Sequence, residues 1–256
     1  MSSWQTVWIT GGGSGIGLEV ARQLAKSGVD VVISGRNAGK LQQACDEVGA
    51  GNISGSIHPL PCDVTDLDSV NAAWESLVET YGLPDLVLLN AGDHQPISLD
   101  NFDPAIFERL MKVNFHGVVN CLASVIPAFC QRGQGHIGVV ASVAGYQGLP
   151  TAAAYGASKA ALINASEALY PELKLKGVDL SLINPGFVRT PLTDKNTFEM
   201  PFLIDPEPAA ARIISGLEKK QFEIAFPTRF VILLKLLKRL PYSVYFKLTK
   251  QLITKS

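Results

Sequence analysis

The chain has 256 residues, of which 47% are hydrophobic and 18% are charged. This composition excludes an intrinsically disordered protein, and the length suits a single α/β domain. The net charge of −1 gives no reason to expect nucleic acid as a partner. The charge is nevertheless uneven, because residues 224–256 contain seven Lys or Arg and no Asp or Glu.

The cysteines are irregularly spaced, and no pair has the CxxC spacing of a metal or redox motif. We therefore expect free thiols and no metal site, which suits a reducing compartment. The N-terminal segment lacks the basic and apolar stretches of a secretory signal, which predicts a cytoplasmic location. The cysteines are Cys45, Cys62, Cys121 and Cys130.

Apolar, β-branched runs alternate with segments of helical periodicity along the chain. One helix is predicted over Leu67–Tyr81, with Asp66 as its N-cap and Gly82 at its end, and another begins at Asp103-Pro104. The alternation predicts an α/β, doubly wound, Rossmann-like fold, in which a seven-stranded, mainly parallel sheet has helices on both faces. The predicted strands are Thr6–Thr10, Val29–Ser34, Ile57–Cys62, Leu86–Leu89, Ile137–Ala141, Asp179–Ile183 and Glu223–Ala225.

A glycine-rich turn follows the first predicted strand and opens the first helix. Gly11 allows a tight turn, Gly15 lets a pyrophosphate approach the backbone, and Gly17 permits close packing of helix and strand. The free N–H groups and the dipole of the helix N-terminus favour phosphate binding. An ordinary glycine-rich turn is the alternative, but the position after the first strand favours a dinucleotide site. The motif residues are Thr10, Gly11, Gly12, Gly13, Ser14, Gly15, Ile16 and Gly17.

The end of the second predicted strand indicates which nicotinamide cofactor is used. NAD-dependent enzymes place a carboxylate near this point to bind the ribose 2′-hydroxyl, whereas this chain has Gly35 and Arg36. A guanidinium can bind the 2′-phosphate of NADPH with two hydrogen bonds, and a carboxylate would repel it. We therefore expect NADPH rather than NAD; a solvent-exposed loop arginine is the alternative.

Three side chains form the predicted reaction centre. Tyr155 and Lys159 are four residues apart at the start of a helical segment, so their side chains share a face. A lysine ammonium beside a phenol favours the phenolate, which predicts a lowered pKa for Tyr155. Ser142 follows the fifth predicted strand, where its hydroxyl can donate a hydrogen bond to a substrate carbonyl.

These segments resemble the motifs of the short-chain dehydrogenase/reductase family. The match to the TGxxxGIG turn of that family over Thr10–Gly17 is complete, as is the match to its YxxxK motif, and the resemblance covers roughly residues 5–226. The resemblance implies that Asn114 binds a water molecule that relays protons through the lysine. It also implies a full catalytic tetrad of Asn114, Ser142, Tyr155 and Lys159.

The resemblance assigns cofactor contacts beyond the glycine turn as well. An acidic residue after the third strand contacts the adenine amino group, a NAG element shapes the floor of the site, and a PG element flanks the nicotinamide. Leu89 replaces the first Asn of the common NNAG form, which is a mild departure. The matching residues are Asp63 and Val64 near adenine, Asn90, Ala91 and Gly92 in the floor, and Pro185, Gly186, Val188 and Thr190 near the nicotinamide.

The full set of motifs implies an NADPH-dependent oxidoreductase that reduces a ketone or aldehyde, with Tyr155 as the proton donor. An NAD-linked alcohol dehydrogenase and a non-catalytic NADPH-binding regulator or scaffold are the alternatives. Family members commonly pair along the helix that carries this tyrosine, so we expect a homodimer or homotetramer. The dinucleotide-binding catalytic domain is predicted over residues 1–228.

The segment Pro191–Pro208 is where the family closes a lid over the substrate. It contains Phe198, Met200, Phe202 and Leu203, which favours a lipophilic carbonyl substrate, although simple packing on the domain is the alternative. Asp93 and His94 follow the Asn90 element and are expected to line the mouth of the site.

Residues 229–256 are predicted to form a basic, amphipathic helical extension of the same domain. Pro241 divides it into helices over residues 229–240 and 242–253. Lys235, Lys238 and Arg239 interrupt the apolar run too early for a membrane-spanning helix, which needs about 20 apolar residues. Residues 229–253 either lie on an anionic membrane surface or pack on the domain or on a second subunit.

Overall fold

The computed structural model describes residues 4–100, 102–196 and 200–253, and its centre is a parallel sheet of seven strands. The strands are β1 (Thr6–Thr10), β2 (Asp30–Gly35), β3 (Ser56–Pro61), β4 (Leu86–Leu89), β5 (Gly135–Val140), β6 (Val178–Pro185) and β7 (Glu223–Phe226). Their order in the sheet is β3-β2-β1-β4-β5-β6-β7, and every pair of neighbours is parallel. The predicted doubly wound α/β fold is therefore confirmed, with boundaries that shift by one or two residues at some strand ends.

Helices cover both faces of the sheet. They are α1 (Gly15–Lys26), α2 (Ala38–Gly49), α3 (Leu67–Tyr81), α4 (Pro104–Met111), α5 (Gly117–Arg132), α6 (Ala153–Leu175), α7 (Pro206–Glu218), α8 (Thr228–Leu237) and α9 (Tyr242–Ile253). On one face, apolar side chains of α1, α2 and α7 pack against β1, β2 and β6; on the other, those of α3, α5 and α6 pack against the same sheet. Because both faces are covered, the strands are buried and consist of nearly continuous apolar residues.

Local sequence signals set several helix ends. The side chain of Asp66 accepts a hydrogen bond from the Asp68 backbone N–H at the start of α3, and Gly82 ends that helix with a φ of 78°. Asp103 caps α4 in the same way, with Pro104 at its first turn. These helix ends agree with the predictions.

The segment between α4 and α5 differs from the sequence prediction. Residues Lys112–His116 form a π-helical turn, so the helical run from Pro104 to Arg132 has a widened turn in its middle. Asn114 lies in this turn and is fully buried. The run is long and apolar enough to span a membrane by composition, but Cys121 and Phe129 belong to the core packed against the sheet.

The parallel arrangement brings the motif residues to one edge of the sheet. Thr10 at the end of β1 is in register with Leu89 at the end of β4, and Leu89 is in register with Val139 of β5. Successive strands are added on one side of β1 up to β3 and on its other side from β4 onward. Doubly wound folds form their ligand crevice at this switch point, between β1 and β4.

The C-terminal helices pack on this same part of the domain. Phe230, Val231 and Leu234 of α8 form a small core cluster with Val143 and Tyr146, which follow β5. Of the alternatives left open for the tail, packing on the domain is therefore observed for one side of α8. The four cysteines are free thiols, as expected.

Candidate active site

The glycine turn has a backbone that only glycine adopts easily. Gly11 and Gly15 have φ values of +65° and +56°, in the left-handed region. A Cβ on Gly11 would lie 2.8 Å from the Cα of Ala91, so a side chain there would collide with the backbone after β4. The turn is thus packed tightly against the Asn90 element.

Asn90 holds the turn in place. Its side-chain Nδ2 donates hydrogen bonds to the carbonyl oxygens of Thr10 and Gly11, at 3.2 and 3.0 Å. In return, the Thr10 hydroxyl accepts from the backbone N–H groups of Asn90 and Ala91, at 3.1 and 3.2 Å. Thr10 is buried beneath the turn, so it supports the loop from below and does not face the cavity.

The start of α1 is open to an anion. Ser14 is the N-cap of α1, and its side chain makes no capping hydrogen bond in the described structure. The first N–H groups of a helix have no acceptor within the helix, and they favour phosphate together with the helix dipole. A Cβ on Gly15 would lie 3.2 Å from the Thr190 methyl carbon, so the residue just before the lid segment closes over this point. The arrangement fits a pyrophosphate.

Arg36 and Asp63 follow β2 and β3, at the far end of the crevice. The Arg36 side chain is exposed and forms no ion pair with any residue that the structure describes. Burial raises the pKa of Asp63, but hydrogen bonds from the Thr65 N–H and hydroxyl, together with the charges of Arg36 and Lys112, leave it lowered overall. A guanidinium free at this point fits the 2′-phosphate of a dinucleotide.

Ser142, Tyr155 and Lys159 line one cavity of about 200 Å³ at the carboxyl ends of β4, β5 and β6. The Ser142 hydroxyl donates to the Pro185 carbonyl at 3.3 Å and accepts from the Ala144 N–H at 3.1 Å. The structure thus brings Ser142, at the end of β5, together with Tyr155 and Lys159 of α6, and it places all three beside the glycine turn.

Lys159 is buried at the floor of this cavity. Its Nζ donates to the Val140 carbonyl at 2.9 Å and lies 5.8 Å from the centre of the Tyr155 ring. A Cβ on Gly92 would lie 3.5 Å from this Nζ, so glycine leaves room for the lysine. Burial lowers the pKa of Lys159 to about 8, and the ammonium is therefore still the main form at neutral pH.

The pKa of Tyr155 differs from the sequence expectation. Burial raises it to about 12, and hydrogen bonding with Ser142 lowers it by less than burial raises it. The predicted lowering by Lys159 is wrong for this structure, because the lysine points its ammonium at the Val140 carbonyl and the Tyr155 ring is partly buried against an apolar cluster. Tyr155 therefore keeps its proton at neutral pH.

Asn114 supports the cavity from behind. Its Nδ2 donates to the Asp93 carbonyl and to the Ser158 hydroxyl, both at 2.9 Å, and its Oδ1 accepts from the Asp93 N–H at 2.7 Å. The Ser158 hydroxyl in turn donates to the Tyr155 carbonyl at 2.7 Å. The side chain thus ties the loop after β4 to α6. Its water-relay role stays a prediction.

Asp93 and His94 connect the loop after β4 to the lid segment. Lys195 donates to the Asp93 carboxylate at 2.6 Å, and Arg109 of α4 pairs with the same carboxylate. The His94 and Tyr155 rings make an edge-to-face contact with their centres 4.7 Å apart. The Nε2 of His94 lies 2.9 Å from the Asn196 Oδ1. Burial lowers the pKa of His94, so the ring next to Tyr155 is neutral at pH 7.

The start of the lid segment contributes residues that the sequence analysis did not assign to the site. Pro191, Leu192 and Thr193 line the cavity. The Thr193 hydroxyl donates to the Val188 carbonyl at 2.7 Å and accepts from the Thr190 N–H at 3.0 Å. The Thr193 N–H also donates to the Thr190 carbonyl at 2.9 Å, and Pro191 at the second position of this turn is a signal that the sequence contains. Phe198 of the predicted lid lies outside the described residues.

The predicted site residues divide into two groups by position. Those that line the cavity are Gly11, Ser14, Gly15, Ile16, Asn90, Gly92, Ser142, Tyr155, Lys159, Pro185, Gly186, Val188 and Thr190. The remaining ones lie behind it or at the far end of the crevice; they are Thr10, Gly13, Gly17, Arg36, Asp63, Val64, Ala91 and Asn114.

A doubly wound sheet with a glycine turn at its crevice, and a Ser-Tyr-Lys cluster beside it, defines a nucleotide-dependent oxidoreductase. Residues 5–200 match the family model described as short chain dehydrogenase. A relative from Myxococcus xanthus, named an uncharacterized oxidoreductase, is 33% identical over 243 residues, which is 95% of each chain. The chain belongs to the short-chain dehydrogenase/reductase family.

Solved structures show the same fold. A short-chain dehydrogenase from Sphingobium yanoikuyae in complex with NADPH superposes with a TM-score of 0.79 at 24% identity, covering 93% of this chain and 96% of that one. An alcohol dehydrogenase from Thermococcus sibiricus complexed with 5-hydroxy-NADP gives a TM-score of 0.78 at 22% identity, with coverages of 87% and 95%.

Proposed function

We propose that this chain is an NADPH-dependent reductase that converts a lipophilic ketone or aldehyde to an alcohol. The observation that carries the proposal is the meeting of Ser142, Tyr155 and Lys159 in one cavity beside the glycine turn. A non-catalytic NADPH-binding scaffold would need none of these three groups in the cavity.

Each of the three side chains has a chemical task in carbonyl reduction. NADPH bound in the crevice supplies the hydride. Tyr155, with its raised pKa, is protonated at neutral pH and donates that proton to the carbonyl oxygen. Ser142 donates a hydrogen bond to the same oxygen. The Lys159 ammonium lies 5.8 Å from the ring centre and stabilises the phenolate that proton donation leaves.

The preference for NADPH rests on Arg36. The guanidinium is exposed at the adenosine end of the crevice, and no described acidic side chain pairs with it. A 2′-phosphate there would gain two charge-assisted hydrogen bonds. The Sphingobium structure contains NADPH and the Thermococcus one an NADP analogue, which agrees with this preference.

The preference for a lipophilic substrate rests on the aromatic side chains near the mouth. Phe187 follows the Pro185-Gly186 element, and its ring stacks on Phe230 with centres 5.7 Å apart. Phe202 of the lid segment stacks on the same ring, also at 5.7 Å. Apolar side chains next to the cavity favour an apolar substrate by the area that they remove from water.

The test is carbonyl reduction by the wild type and by Tyr155→Phe. NADPH consumption is followed by its absorbance with medium-chain aldehydes, aryl ketones and fused-ring ketones as substrates. We expect the wild type to reduce at least one class, and Tyr155→Phe to lower kcat by about 10³-fold, because the proton donor is lost. NADPH binding, measured by fluorescence, is expected to persist.

Tyr170→Phe is the matched control, since it removes a hydroxyl from the same helix outside the cavity. It should keep wild-type kcat. Near-wild-type reduction by Tyr155→Phe, or a wild type that binds no NADPH, would reject the proposal.

We also infer that the active form is a homodimer or homotetramer that pairs along α6, as family members commonly do, and that it works in the cytoplasm. Sedimentation equilibrium of the purified chain tests the assembly, and a monomer at micromolar concentration would contradict it.

A further inference from the structure

The outer side of the C-terminal helix pair is apolar and exposed. Ile232, Leu233 and Leu236 of α8 are 54%, 46% and 56% exposed, and Phe246 of α9 is 60% exposed. Large apolar side chains rarely gather on the surface without a partner. We use the name C-terminal face for a set of exposed apolar and basic side chains of these two helices and the turn between them. They are Arg229, Ile232, Leu233, Leu236, Lys238, Arg239, Tyr242, Phe246, Lys247 and Lys250.

Helix α8 is apolar on two sides. Phe230, Val231 and Leu234 are buried against the domain, so the inner side already has its packing partner. The exposed residues 229, 232, 233 and 236 follow the i, i+3, i+4, i+7 spacing of a single stripe on the other side. The outer stripe is therefore additional to what the fold needs.

The charge of the C-terminal face restricts the chemistry of its partner. Residues 224–250 contain six basic side chains and no acidic one, and of these six only Lys235 forms an ion pair among the described residues, with Glu223. A second copy of the chain docking face to face would bring five unpaired positive charges against the same five. An anionic surface with an apolar layer beneath it matches both the charge and the exposed side chains.

The length of the helices indicates how such a surface would be bound. Helix α8 has 10 residues and α9 has 12. A helix needs about 20 residues to cross a bilayer, so both are too short to do so. Short amphipathic helices with basic and aromatic residues lie in the plane of the headgroups.

The C-terminal face adjoins the substrate mouth. Phe230, on the inner side of α8, stacks with Phe202 of the lid segment and with Phe187 beside the Pro185-Gly186 element. The Tyr245 hydroxyl of α9 donates to the Gly148 carbonyl, in the loop that joins Ser142 to the helix of Tyr155. The helix pair thus packs against segments that adjoin the cavity.

We propose that the C-terminal face binds the anionic surface of a lipid membrane and holds the mouth of the cavity at that surface, where a lipophilic carbonyl substrate enters from the bilayer. The binding step is independent of catalysis, whereas the substrate route rests on the proposed function.

Flotation of the full-length chain with vesicles tests the binding step. One set of vesicles is phosphatidylcholine and the other is an equimolar mixture of phosphatidylcholine and phosphatidylserine. We expect the wild type to float with the mixed vesicles, to float poorly with phosphatidylcholine alone, and to lose binding as salt is raised.

Two variants of the C-terminal face should weaken this binding. The triple variant Arg229→Gln, Lys238→Gln, Arg239→Gln is expected to lower affinity about 100-fold, since each basic residue near the surface contributes about fivefold. The double variant Leu233→Ser, Leu236→Ser should lower it at least tenfold, because less apolar area enters the lipid.

The matched controls carry the same changes at exposed positions elsewhere. They are Lys26→Gln, Lys176→Gln, Lys219→Gln for charge, and Leu99→Ser, Leu175→Ser for apolar area. Both controls should bind within twofold of the wild type. NADPH fluorescence checks that every variant is folded, and no face residue touches the cavity.

A wild type that does not float with the mixed vesicles overturns the proposal, as does unchanged flotation of both face variants. A wild-type oligomer that the double variant dissociates, without any vesicle binding, would show that the face joins copies of the chain and would also overturn it.

The substrate route is tested with a carbonyl lipid incorporated in the mixed vesicles. The face variants should reduce the carbonyl lipid at least tenfold more slowly than the wild type does. They should reduce a water-soluble carbonyl at the wild-type rate. Equal rates on the vesicle substrate would reject the route. Flotation without any carbonyl reduction by the wild type would reject the proposed function and leave the membrane binding standing.

Discussion

The floor of the cavity and the C-terminal face depart from the usual distribution of residues in opposite directions. The floor buries polar groups: Asn114 is 0% exposed and Lys159 is 4% exposed. The C-terminal face exposes Leu236 and Phe246. Both departures oppose the general preference for apolar interiors and polar surfaces.

The difference between the two regions lies in where the partners are. Each buried polar group of the floor has a hydrogen-bond partner inside the chain, as Lys159 has in the Val140 carbonyl. The fold itself therefore compensates for their burial. The apolar side chains of the C-terminal face stay largely exposed, even though Phe246 stacks on Tyr242. Their burial needs a partner from outside the chain.

The largest expected effect is on stability, and it should differ between the inner and outer sides of α8. Phe230→Ala should lower the free energy of unfolding by about 4 kcal/mol, because it removes a buried ring stacked between Phe187 and Phe202. Leu236→Ser, on the exposed side, should change it by less than about 0.5 kcal/mol. Urea unfolding measures both. Equal losses of unfolding free energy would show that both sides of α8 contribute equally to stability, which contradicts the comparison.

The next effect concerns the floor. Ser142→Ala should lower kcat by about 10²-fold, since one hydrogen bond to the carbonyl oxygen is lost. NADPH binding should not change. Ser166→Ala, which removes a buried hydroxyl from α6 outside the cavity, is the control and should keep wild-type kcat. A normal kcat for Ser142→Ala would remove this residue from the mechanism.

A smaller effect is expected at the other end of the crevice. Arg36→Ala should raise the KM for NADPH about 30-fold, because charge-assisted hydrogen bonds to the 2′-phosphate contribute about 2 kcal/mol. The KM for NADH should change much less, since NADH has no phosphate there. Steady-state kinetics with both cofactors measures the ratio, with Lys26→Ala as a control. Equal increases for both cofactors would argue against NADPH recognition by Arg36.

The smallest effect extends the comparison to a buried polar group far from the cavity. Burial lowers the pKa of His136 from 6.5 to about 4; Asp179 opposes this shift, and Lys220 and Lys174 add to it. The unfolded chain therefore binds a proton between pH 6.5 and 4 that the folded chain does not. Stability is lost as pH falls through this window.

Between pH 7.5 and 5.5 the wild type should lose about 1 kcal/mol more stability than His136→Gln. Urea unfolding of both proteins at the two pH values measures this difference. An identical pH dependence would mean that His136 does not carry a lowered pKa.

Elements defined by short-range signals were predicted well. Helix α3 has the predicted bounds, because its apolar period, the Asp66 cap and the terminal Gly82 all act within a few residues. The break at Pro241 separates α8 from α9 for the same reason. The glycine turn was assigned correctly to the sheet edge, since its position after β1 fixes where it lies.

Features that depend on distant neighbours were not predictable in this way. The π-helical turn around Asn114 widens a helix whose apolar period gives no sign of it. The ion pair between Asp93 and Lys195 joins residues 102 positions apart. The pKa of Tyr155 was predicted in the wrong direction. The sequence shows the spacing between Tyr155 and Lys159, but it does not show how far the tyrosine ring is buried.

The amino-acid sequence by itself determined the order of strands and helices and the position of the glycine turn, since these follow from periodicity and from local backbone chemistry. The choice of Ser142, Tyr155 and Lys159 as the reactive group came from the resemblance of their motifs to those of the family. Only the tertiary structure decided which buried groups are paired, how the phenol is protonated, and which side of α8 is left uncovered. Burial and electrostatics are sums over neighbours from the whole chain, and no local stretch of sequence contains them.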